Sequence, residues 1–194
     1  MKERLKNLYQ RGELSTASLL SAITKSWITI EDVVEIVGED NAAEVVRSAK
    51  ISEISAACNT EIVKGFNIEL GDVIEHFGLS MEDQNNIANL FRVVELGGTE
   101  FPYQADGGKC RIYTAQEIIQ LYVAAQTAIT SQTTYHNALK SYVLSLKDAE
   151  KISAVTYGMT LPKKYRDEVN GKLAAAHDQL STIVERLSNV INTK

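Results

Sequence analysis

Proline and cysteine are scarce: 2 of each in 194 residues, with 1 Trp and aromatics at only 7%. With so few prolines, long helices run uninterrupted, and the abundance of Ala, Leu, Ile, Glu and Lys favours helix over strand. Cys58 and Cys110 stand far apart and neither belongs to a CxxC pair, so zinc and redox motifs are missing. Cys58 falls in a helical apolar stripe and reads as a small core residue, whereas Cys110 falls in a turn-rich stretch. No basic run exceeds Lys163-Lys164 and the net charge is −5, which argues against a nucleic-acid partner. No stretch approaches the ~20 apolar residues a membrane span needs. Met1-Lys2-Glu3-Arg4 is charged, and no apolar run succeeds it as in a secretory signal. The expectation is a soluble chain made in the cytoplasm, with no membrane partner. Apolar residues at 44% and charged residues at 23% are ordinary for a folded protein, so disorder is not the default.

Chemistry is also short of its usual signatures. His76, His136 and His177 are scattered, none in HExxH or an H-x-E zinc pattern. Neither a Walker loop nor GxGxxG occurs. Ala105-Asp106-Gly107-Gly108 is glycine-rich, but no Lys-Ser/Thr pair opening a helix comes after it, and a hairpin turn is the better reading. Glu82-Asp83 and Asp167-Glu168 sit at helix starts, where carboxylates complement the helix dipole. A non-enzyme without cofactor or metal is therefore expected.

What is present is helical punctuation. Leu5, Leu8 and Tyr9 share a face of a short helix ended by Gly12. Ser15 or Thr16 can cap a second helix bearing Leu19, Leu20 and Ile23. Thr29 and Asp32 form a capping box for a third helix, which Gly38 stops. Helices this short need to pack around Trp27 or against a partner. A longer helix starts at Asp40 or Asn41 and runs to about Lys64, with Val45, Val46, Ala49, Ile54, Cys58 and Ile62 on one side. Phe66, Ile68 and Leu70 alternate as in a half-buried strand, Gly71-Asp72 can turn, and Val73 to Phe77 can return. Ser80 and Asp83 cap a helix carrying Met81, Ile87, Leu90, Phe91, Val94 and Leu96, which stops at Gly97-Gly98. A second hairpin comes next, from Glu100 to Tyr103 and from Arg111 to Tyr113.

The last third carries the strongest periodicity. Thr114 and Glu117 make another capping box, and no Gly or Pro interrupts the helix before Gly158. Ile118, Tyr122, Ala125, Ile129, Gln132, His136, Leu139, Val143 and Leu146 keep a 4-3 spacing. A second long helix begins near Pro162, with Val169, Leu173, Ala176, Leu180, Ile183, Leu187 and Val190 on the same spacing. These seams can meet as an antiparallel hairpin turning at Tyr157 to Leu161, or across copies in a dimer or trimer. His136 reads as a polar core position that sets register; a pH switch or a metal on a threefold axis is the sharper alternative. The fold class is mainly α: short N-terminal helices, a central α+β part with one or two small β-hairpins, and two long C-terminal coiled-coil-like helices. Boundaries are expected as 1–39, 40–113 and 114–194.

Two resemblances add a setting. Met1 to Tyr9, Trp27-Ile28-Thr29 and Glu35-Ile36-Val37-Gly38 resemble the XkdX family of short phage tail-region proteins. From about residue 50 to 146, an ordered series resembles a phage domain of unknown function found in tail-fibre and baseplate proteins. That series includes Ile54 to Asn59, Ile62 to Phe66, Ser80 to Ile87, Tyr103 to Gly107 and Thr114 to Glu117. The resemblances imply a virion tail or baseplate location, with other tail, baseplate or tail-fibre proteins as partners. They supply no catalytic residue. The expected function is a structural, non-enzymatic part of a baseplate or tail-fibre attachment apparatus. The alternatives are a tail-fibre assembly chaperone absent from the mature particle, and a receptor- or glycan-binding module at the hairpin tips. Trp27, Leu173, Leu180, Ile183 and Leu187 are the candidate interaction residues.

Overall fold

The computed structural model describes residues 1–192, leaving aside the side chains of Thr24, Glu39, Asp40 and residues 189–192. The architecture is mainly α, with two small antiparallel hairpins. The helices are α1 (Lys2–Gln10), α2 (Thr16–Thr24), α3 (Ile30–Val37), α4 (Glu39–Val63), α5 (Met81–Glu95), α6 (Ala115–Ser145), α7 (Ala149–Ser153) and α8 (Lys163–Asn192). Strands β1 (Phe66–Leu70) and β2 (Val73–Phe77) form one hairpin, and β3 (Glu100–Tyr103) and β4 (Arg111–Thr114) the other.

The chain makes two compact units. One joins Met1–Ala57 with His136–Arg166; the other joins Cys58–Tyr135 with Asp167–Lys194. Neither is a consecutive stretch, and the divisions fall inside α4, α6 and α8.

In the first unit the caps form as their sequence suggests. Ser15 accepts from the Ser18 N–H, and Thr29 and Asp32 bond reciprocally. Lys2 of α1 reaches Asp32 and Glu35 of α3 at 3.2 and 2.9 Å. The core here is Leu5, Leu19, Ala22, Ile28, Val33, Ile36 and Val37, with Val45, Val46 and Ile54 from α4 and Leu139 and Val143 from α6. Trp27 is not its anchor. The chain leaves α2 through Ser26 at φ 56°, and this turn points Ile28 inward and leaves Trp27 51% exposed.

Helix α6 is shorter than its lack of Gly and Pro suggests. It stops at Ser145 rather than approaching Gly158, because Asp148 takes the Glu150 and Lys151 N–H groups and starts α7. A side-chain acceptor that competes for backbone donors is enough to break a helix that propensity alone would continue. Arg47 of α4 donates to the Leu146 carbonyl at 2.9 Å, satisfying an acceptor just past the end of α6.

The second unit is built around Leu70, Phe77, Leu79, Ile87, Phe91, Phe101, Tyr113, Ile118, Ile119, Leu121 and Leu187. Ile119 and Leu121 are fully buried although they lie off the 4-3 seam, so the start of α6 is wrapped more completely than a coiled-coil stripe would be. In α5, Ile87, Phe91 and Val94 point inward as expected, but Met81 and Leu96 are 79% and 82% exposed. Both lie at its ends, where the turn has left the core. The antiparallel arrangement of the long helices is visible within this unit. Leu173, Ala176, His177 and Leu180 of α8 line a cavity of about 180 Å³ with Thr127, Thr130 and Ser131 of α6, while Leu187 reaches the core. Val190, the last seam position, lies outside the described side chains.

Candidate functional site

The two hairpins of the second unit carry its densest polar chemistry. In β2, alternation places Phe77 inward and Glu75 half-buried; in β4 it places Tyr113 inward beside Arg111. Arg111 grips Glu75 with two donors, Nε to Oε1 at 3.2 Å and Nη2 to Oε2 at 2.6 Å. Its third contact runs from Nη1 to Glu117 Oε1 at 2.8 Å. The Tyr113 hydroxyl donates to Glu75 Oε1 at 2.9 Å, and the guanidinium lies 3.6 Å above the Tyr113 ring. Glu117 meanwhile accepts from the Thr114 N–H at 2.7 Å, so the capping box of α6 and the bridge between hairpins share one carboxylate. A planar guanidinium serving two carboxylates and an aromatic face is an arrangement lysine cannot reproduce.

Charge is set by this geometry. The Arg111 hydrogen bonds hold the Glu75 carboxyl below its ordinary value, against the opposing effect of burial. Burial pushes Glu117 up, but the Thr114 N–H and Arg111 outweigh it and leave it lowered. Burial, then the hydrogen bond to Glu75, raises the Tyr113 phenol to about 12.

A second polar group lies where β2 runs into α5. The Asp106 carboxylate Oδ2 accepts from the Gly78 N–H at 2.9 Å and lies 3.1 Å from His76 Nδ1, while its own N–H donates to the His76 carbonyl. Asp83 caps α5 through Oδ2, bonded to the Ser80 N–H and hydroxyl. Between them opens a cleft of about 320 Å³, walled by Asp83, Asn86, Tyr103, Gln104 and Asp106 over the Phe77-Gly78 backbone. Tyr103 lies parallel to Phe77 and offset from it, with ring centroids 6.2 Å apart and planes 2° from parallel. Burial, then the fields of Asp83 and Asp106, raise its phenol.

This stretch decides the family. The family described as Domain of unknown function (DUF4376) matches residues 45–157. The chain belongs to it. No curated protein and no solved structure matches. The DUF4376 stretch holds both hairpins, α5 and α6, and so contains the Arg111 bridge and the Tyr103 cleft complete.

The candidate interaction residues lie outside that stretch and in two places. Trp27 stands at the α2–α3 turn in the first unit, with Lys25 Nζ 4.8 Å from its ring. Leu173, Leu180, Ile183 and Leu187 come together along α8 in the second unit, Leu187 buried and Ile183 packed against the core. Sequence reasoning missed Glu75 and Arg111. Their signal is faint: two opposite charges in successive hairpins, each next to an apolar position of its strand. His136 bonds Ser55 at 3.0 Å within the first unit. The Ser55 hydroxyl already donates to the Ile51 carbonyl, so His136 Nε2 is the donor in that contact. Burial, then the charge of Lys140, lowers the imidazole pKa, which favours the neutral ring.

Proposed function

We propose that this chain is a non-enzymatic structural component of the tail of a bacteriophage or phage-like contractile particle, joining tail proteins through helical packing. The setting rests on the resemblances of residues 1–40 and 50–146. The joining role rests on one observation: the sole tryptophan, in a unit with a well-filled aliphatic core, stands half out of it at a turn. Trp is among the residue types enriched at energetically dominant interface positions. The Arg111 network is consistent with a scaffold, since its ionisable groups are engaged in holding two hairpins to a helix start.

The experiment is to purify particles from a host carrying the gene and probe them for this chain. Presence in the particle is expected. Trp27→Ala should leave thermal stability unchanged within about 2 °C but reduce incorporation about tenfold or more, as loss of an anchor of ~1.4 kcal/mol or greater implies. Leu180→Asp, which puts a charge into the α6–α8 packing, should abolish assembly. Absence of the chain from wild-type particles would overturn the reading in favour of a chaperone, and normal assembly by both variants would overturn it altogether.

A further inference from the structure

We infer that the cleft beside Tyr103 is a binding site for a neutral saccharide. Its lining decides the class of ligand. Asp83, Asn86, Gln104 and Asp106 are planar polar groups that offer acceptors and amide donors in one small space, and Tyr103 offers a ring. No lysine or arginine lines the cleft, so an anionic ligand would meet two carboxylates and no counter-charge. An apolar ligand would strand those groups without partners. A pyranose satisfies both sides: its hydroxyls donate to carboxylates and exchange hydrogen bonds with amides, and its C–H face lies against an aromatic ring.

The lining is also held in place before any ligand arrives. Asp106 is fixed by the Gly78 N–H and His76, Asp83 by Ser80, and Tyr103 by the parallel Phe77 ring. In each carboxylate these bonds engage Oδ2, which leaves Oδ1 as the acceptor for a ligand. Preorganisation of this kind reduces the entropy lost on binding. Past Tyr103 and Asn86, which both spaces share, a second hollow of about 380 Å³ continues along α5 over Asn89, Leu90 and Val93. Asn86, Asn89 and Val93 lie along one helical face, so the groove passes from polar to amphiphilic. Tyr103 lies between the two subsites.

The test is an amide-shift titration of the full ¹⁵N-labelled chain with three neutral probes: chitotetraose, maltotetraose and a galacto-oligosaccharide. At least one should move the amides of Gly78, Asn86 and Gln104 to Gly107 in a saturable way. Asn86→Ala, an exposed position, should weaken that probe at least fivefold with an unchanged melting temperature. Tyr103→Phe should keep most of the affinity, because it keeps the ring. No movement at these amides with any of the three overturns the proposal. So does movement with N-acetyl-arginine amide alone, which would make the cleft a cation site.

Discussion

Tyr113 illustrates how much one hydroxyl can hold. It is fully buried, yet its oxygen reaches Glu75, which already receives two Arg111 donors. Tyr113→Phe removes a hydrogen bond to a charged group and should lower stability by about 1.5–3 kcal/mol in urea unfolding. The same carboxylate sets an acid limit. The folded pKa of Glu75 lies below its ordinary value of 4.5, so the network's contribution is complete above that value and is lost as pH falls through the folded pKa. Urea midpoints should therefore drop below about pH 4.5, and Glu75→Gln should flatten part of that slope. An equal slope in wild type and variant would mean other carboxylates govern it. Gly65 shows the opposite kind of constraint. At φ 74° it lies under the Phe77 backbone, and a β-carbon there would collide with the Phe77 carbonyl. Gly65→Ala should cost roughly 1–3 kcal/mol, combining backbone strain with displacement of β2.

Elements are legible wherever their signals are local. The Thr29-Asp32 and Ser80-Asp83 boxes form because each needs only a four-residue span. The hairpin registers are set by Gly71 at φ 65° and by the Ala105–Gly108 turn, both written in short runs. The end of α6 is not legible, because Asp148 looks like an ordinary helix residue until the chain is seen to turn there. Asp148→Ala should remove that cap, costing ~1 kcal/mol, and should lower the melting temperature by about 2–4 °C. Added helicity by circular dichroism would accompany it if α6 extends into the vacated turn. Trp27 reads as a core residue for a related reason: nothing local marks Ser26 as the left-handed position that turns it outward.

At the scale of the molecule, what escapes the sequence is pairing over distance. Glu75 and Arg111 are 36 positions apart, and neither lies on a periodic stripe that would draw attention to it. The Tyr103 cleft likewise needs the start of α5 and the β3–β4 loop together. The heptad spacing does announce that the long helices seek partners, but not whether those partners belong to the same chain. In the second unit the α8 positions Leu173 and Leu180 face Thr127 and Thr130 of α6, and Leu187 enters the core. With Leu187 in the core and Leu173, Ala176 and Leu180 half-buried beside α6, light scattering of the purified chain should give a monomer near 21.4 kDa. A dimer or trimer would mean that the half-buried seam positions are shared between copies.

The interleaving of the two units has a consequence for synthesis. Residues 1–57 leave the ribosome first, but the stretch that completes their unit begins only at His136. At roughly 5–20 residues per second, the nascent N-terminal helices wait on the order of 5–15 s with apolar faces such as Val45, Val46 and Ile54 uncovered. The second unit waits in turn for Asp167 and the remainder of α8. Because the two units alternate along the chain, no single proteolytic cut can separate one intact unit from the other.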